Sequence, residues 1–124
     1  MKLRILDNTI RLRLRKSEVV QFGKEGFLEG RTELAQGCTF VYRLEMSNTV
    51  SSITARPLSC GIAVEAPRDL AQAWVASSEI GLSTEGPEGG PDILIEKDFQ
   101  RTSVRSLLDF DLYPNPRSSG APRA

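Results

Sequence analysis

The sequence predicts an α+β fold: about eight mostly antiparallel strands in two strand–strand–helix–strand–strand pseudo-repeats, with two short helices and sheets that could close into a barrel. Three observations predict it. The opening residues alternate apolar and charged side chains, the period of half-buried strands. A short helical stripe occurs once in each half. The same order of signals then recurs at a spacing of 50 residues.

Leu3 and Ile5 alternate with Lys2 and Arg4, and Asp7-Asn8 supplies turn chemistry. Ile10, Leu12 and Leu14 then alternate with Arg11, Arg13 and Arg15, so residues 2–6 and 9–15 make a hairpin. Ser17 before Glu18 has the chemistry of an N-cap with an acidic first turn. Val19, Val20 and Phe22 give the helix its apolar face, and Gly23 and Gly26 stop it. Residues 28–35 and 39–46 read as strands around the turn Ala35-Gln36-Gly37, the second with Phe40, Tyr42, Leu44 and Met46 on one face.

In the second half, Ile53 and Ala55 mark a strand ended by Pro57, and Ile62 and Val64 mark one running into Pro67. Pro67 suits the first position of a helix whose stripe is Leu70, Ala71, Trp74 and Val75. A strand over 79–85, a loop over 86–91 and a strand over Ile93 to Phe99 follow. Placing residue n on n+50 sets Leu3 on Ile53, Leu12 on Ile62, Leu14 on Val64 and Val20 on Leu70. The expected organisation is one domain over 1–116, with pseudo-repeats 1–49 and 50–99, and a disordered tail over 117–124. Val20, Phe22, Leu70 and Trp74 are expected to pack the helices onto the sheets, with Trp74 a core residue.

The 124 residues suit one core, and 40% apolar with 26% charged residues is ordinary for a globular domain. Sixteen Lys and Arg balance sixteen Asp and Glu, so nothing draws the chain as a whole to nucleic acid or an anionic membrane. There is no histidine, which excludes Ser–His–Asp and Cys–His catalysis and histidine-ligated metals. Cys38 and Cys60 have no CxxC or histidine companions and read as buried or half-buried thiols rather than as a disulfide. No apolar stretch is long enough for a signal-peptide core or a membrane span, which predicts a cytoplasmic location.

The candidate ligand-binding residues are Lys2, Arg4, Arg11, Arg13, Arg15 and Lys97. Guanidiniums roughly 6.6 Å apart along a strand and about 4.8 Å across strands can share one anion, so this row suits phosphate, polyphosphate or a nucleic-acid backbone. The competing role is an exposed sheet face paired with Glu45, Glu65 or Glu96. Glu96 and Asp98, at i and i+2, share a strand face opposite Lys97 and could hold magnesium, or could pair with the arginines. Tyr113-Pro114-Asn115-Pro116 would pin the C-terminal segment across the sheet.

MKLRI, the IRLRL that follows it, SEV, the later LIEKDF and the closing YPNP together resemble a family of short bacterial proteins built on a domain of unknown function. The resemblance spans nearly the whole chain and implies kinship without naming a chemistry. Relatives often carry a cysteine just after EKDF and an acidic run before the last prolines. This sequence has Gln100-Arg101-Thr102 and Ser106-Leu107-Leu108-Asp109 there, so no metal or redox role carries over from them. In architecture alone, the two charged halves are similar to the triphosphate tunnel enzymes, but their Glu-x-Glu-x-Lys strand is absent.

These readings favour a small binding or interaction protein without catalysis, its partner another protein or a second copy of the chain meeting at an exposed strand edge. The alternative is a protein that binds phosphorylated small molecules, or a magnesium-dependent phosphohydrolase, working through the arginine-lined face.

Overall fold

The alternation at the start of the chain becomes a hairpin of β1 (Lys2–Leu6) and β2 (Thr9–Leu14), with Leu3 opposite Leu12 and Arg4 opposite Arg11. Asp7, at φ 49, takes the left-handed position of the two-residue turn. The computed structural model describes residues 1–83 and 90–99. The loop expected over 86–91 falls mostly outside the described residues, and the YPNP segment and the tail fall wholly outside them.

Helix α1 (Lys16–Glu25) follows, then β3 (Phe27–Glu33) and β4 (Thr39–Ser47). The second half supplies β5 (Thr54–Leu58), β6 (Gly61–Pro67), α2 (Arg68–Ala76), β7 (Gly81–Leu82) and β8 (Asp92–Lys97). Among the described residues, eight strands and two helices come in the predicted order. They form two four-stranded sheets, β1-β2-β8-β7 and β3-β4-β6-β5.

Each sheet thus takes one hairpin from each half. Four strand pairs are antiparallel, and the two that join the halves, β2 with β8 and β4 with β6, are parallel. This exchange gives the approximate two-fold symmetry that the repeat implied. The sheets do not close into a barrel. Closure needs edge strands with free donors and enough length, whereas β7 has two residues and β5 carries Pro57, which has no N–H. Pro57 also does not end its strand, because an edge position tolerates it.

The inward faces of both sheets and both helices meet in one core, where Leu12, Leu14, Phe22, Leu44, Ile53, Val64 and Ile95 are fully buried. Val20 and Leu70, expected in that core, are instead exposed at 49% and 41%. Val19 and Ala71 take their places beside Phe22 and Trp74. The cap of α1 is also shifted: Arg15 holds the N-cap position, and its backbone N–H donates to the Glu18 carboxylate at 2.8 Å.

Gly26, at φ 71, ends α1 by donating its N–H to the Phe22 carbonyl at 2.8 Å. Gly23, by contrast, lies inside the helix, where a Cβ would stand 2.7 Å from Val75 Cγ1 of α2. It marks the helix crossing rather than the helix end.

Gly30 of β3 lies opposite Tyr42 of β4, whose ring occupies the space a side chain at Gly30 would need. The Tyr42 hydroxyl donates to the Met1 carbonyl at 3.0 Å. Gly30→Ala is therefore expected to expel the ring and destabilise the fold by about 1–3 kcal/mol. Denaturant midpoints check this, and a Gly30→Ala, Tyr42→Ala double variant should be no less stable than Tyr42→Ala alone.

A candidate anion-binding face

Period-two alternation places Leu12 and Leu14 in the core and turns Arg11 and Arg13 outward. Strand register then decides the neighbours. Lys2 lies opposite Arg13 and Arg4 opposite Arg11 on β1, while β8 sets Glu96 beside Arg13 and Leu94 beside Arg11. Lys2, Arg4, Arg11 and Arg13 therefore share the outward face of the first sheet with the carboxylates of Asp92, Glu96 and Asp98.

The carboxylates are unevenly distributed among the cations. Arg13 donates from Nε and Nη2 to a single Glu96 oxygen, at 3.0 and 2.9 Å. Arg11 reaches that same oxygen only at 3.7 Å, and Lys2 reaches Asp98 at 3.7 Å. Arg4 forms no ion pair among the described residues, although it stands directly opposite Arg11. Two adjacent guanidiniums are thus poorly neutralised, and like charges directly opposite each other destabilise a strand pair.

Two candidates leave the row. Arg15 caps α1, with its Nε 3.4 Å from Glu18 and a side chain 72% exposed. Lys97 turns to the other face of β8, where Nζ donates to the carbonyls of Trp74 at 3.0 Å and Ser77 at 2.6 Å. It also lies 5.1 Å from the Trp74 ring centroid, so it caps the C-terminus of α2. Glu96 and Asp98 do share a face opposite Lys97, but both carboxylates contact cations. Among the described residues no cluster of three Cys, Asp or Glu could hold a metal.

The outward face of the second sheet shows what full pairing looks like. Arg31, Glu29, Arg43, Glu45, Arg56 and Glu65 alternate in sign across all four strands, with successive contacts of 2.8, 2.8, 3.8, 3.5 and 2.7 Å. Hydrogen bonds from Arg31 and Arg43 hold the Glu29 carboxyl below its usual range, and the Glu65 carboxylate holds Arg56 above its own. Glu45 and Glu65, candidate partners for the arginine row, belong to this network instead. The sequence signal for it was the i, i+2 charge spacing of Glu29-Gly30-Arg31 and Arg43-Leu44-Glu45, which only strand register converts into a network.

The contrast follows from the repeat. Lys2 and Thr54 open matching strands, as do Thr9 and Gly61, each pair 52 residues apart. At that spacing Arg11 matches Ala63 and Arg13 matches Glu65. The first half thus carries two guanidiniums where the second carries a methyl group and a carboxylate.

A family model matches residues 1–117. The chain belongs to DUF7009, a family of unknown function. No curated protein and no solved structure matches it. The match takes in both halves, so in this DUF7009 chain the cationic face and the neutral one lie within a single family unit. No described helix is long and apolar enough to cross a membrane.

Proposed function

We propose that this protein is a non-catalytic binding module that holds a phosphorylated small molecule on the outward face of its first sheet. One observation carries the reading: Arg4 and Arg11 face each other across β1 and β2, the first without an ion pair among the described residues and the second sharing a carboxylate that Arg13 already holds. A phosphate group offers several acceptor oxygens and matches the guanidinium fork, so one ligand relieves the repulsion between both side chains. The contacts of Glu96 and Asp98 with Arg13 and Lys2 support binding over metal-dependent hydrolysis.

A ligand that binds only the folded state stabilises it by RT ln(1 + [L]/Kd), or about 2.7 kcal/mol at a hundredfold excess over Kd. Thermal melts with inorganic phosphate, pyrophosphate, tripolyphosphate and ATP, with and without magnesium, are therefore expected to show a rise in Tm of roughly 5–10 °C for at least one of them. The Arg4→Ala, Arg11→Ala variant should lose that rise, whereas Arg31→Ala on the opposite sheet should keep it. No rise with any of these anions, or an equal rise in the double variant, would overturn the reading.

A further inference from the structure

The turn after β3 ends at Cys38, and the turn between β5 and β6 contains Cys60. The two are 22 residues apart in sequence and come from different halves of the repeat. Parallel pairing of β4 with β6 brings them together, because its first rung sets Val41 against Gly61. Val41 N–H donates to the Cys60 carbonyl at 2.9 Å, and Leu34 N–H donates to the Cys38 carbonyl at 2.7 Å, so the backbone of both turns is tied down. The two Sγ atoms are 2.8 Å apart, both cysteines are free, and both are half-exposed.

The other sheet has the same clamp without sulfur. There Asp92 N–H donates to the Asn8 carbonyl at 3.0 Å, and the Asn8 side chain donates to the Gly90 carbonyl at 3.3 Å. The thiol pair thus occupies a junction between halves where its counterpart, among the described residues, is held by hydrogen bonds.

We propose that Cys38 and Cys60 are a reversible redox pair that closes to an intramolecular disulfide when a low-molecular-weight disulfide such as oxidised glutathione is present. One protein thiolate attacks a sulfur of the oxidant and expels the first glutathione thiolate, giving a mixed disulfide. The second protein thiolate attacks the protein sulfur of that bond and expels the second glutathione. Two electrons leave the protein sulfurs, and two glutathione thiols form with the protons the cysteines release. The protein sulfurs need approach by only about 0.8 Å to reach bonding distance. The side-chain hydrogen bond between Cys60 and Cys38 holds the Cys60 thiol above its usual range, and burial acts in the same direction. Closure would staple the turn leading into β4 to the turn leading into β6, at the seam between the halves.

The full chain, equilibrated in glutathione buffers of rising oxidised fraction, is expected to lose about 2 Da with no glutathione retained. Non-reducing peptide mapping should join the Cys38 and Cys60 peptides. Crosslinking a loop of this length should raise Tm by about 10 °C, and dithiothreitol should reverse the mass change and the rise together. Cys38→Ser should accumulate the glutathione adduct on Cys60 with no rise in Tm. Two alkylatable thiols remaining at full oxidation, stable adducts on both cysteines of the wild type, or a linked species no more stable than the reduced one would overturn the proposal.

Discussion

Gly61→Ala is expected to cost at least about 4 kcal/mol, enough to leave a domain of ordinary stability partly unfolded. Two effects combine at this position. Its φ of 147 lies where side chains are strained, and a Cβ there would overlap the Val41 carbonyl, a backbone atom of the neighbouring strand. Backbone cannot step aside as a side chain can, so the first rung between β4 and β6 would have to open, and with it one of the two parallel seams joining the halves. Gly37 separates the two effects. It too has a positive φ, 74, but nothing lies within 4 Å of its Cβ position, so Gly37→Ala should cost only about 1–2 kcal/mol. Urea midpoints under reducing conditions measure both, and equal costs would show that conformational strain alone governs Gly61.

The strand faces were legible in the sequence, even though its signals recur at a spacing of 50 while matching strands start 52 residues apart. A strand repeats every two residues, so a two-residue slip leaves every side chain on its own face. That is why Leu12 and Leu14, and Ile62 and Val64, were placed on the correct side. A helix does not forgive the same slip, since two residues turn it by about 200°. Lys16 and Arg68 open the two helices 52 residues apart, which matches Val19 with Ala71 and Phe22 with Trp74. The 50-residue alignment instead matches Val20 with Leu70, the exposed members of apolar sets that also hold the buried Val19, Phe22, Ala71 and Trp74.

The candidate site was legible to the same depth. Alternation alone placed Arg11 and Arg13 together, and the short turn at Asp7-Asn8 brought Lys2 and Arg4 alongside them. Glu96, which divides the row into a satisfied Arg13 and a poorly satisfied Arg11, lies on a strand 83 residues away. Only the parallel β2–β8 register selects it over Glu45 and Glu65. The meeting of Cys38 and Cys60 had the same obstacle, because a parallel crossover pairs residues that no local signal connects.

Phe22→Ala provides the sharpest test of that helix phase and is expected to cost about 3–5 kcal/mol. Phe22 is fully buried, and its backbone carbonyl also accepts the Gly26 N–H that ends α1, so the ring fills the core where the helix terminates. Truncation removes the ring and leaves a cavity in the core, which the hydrogen-bonded strands cannot readily collapse to fill. Val20 lies two residues away on the same helix but is half in solvent, so Val20→Ala should change stability by no more than about 0.5 kcal/mol. The two variants trim opposite sides of α1, a ring from the buried side and two methyl groups from the exposed one. Comparable losses in their urea midpoints would mean that α1 buries a broader stripe than Val19 and Phe22. A larger loss at Val20 would restore the alignment at 50 residues and remove the structural match between Phe22 and Trp74.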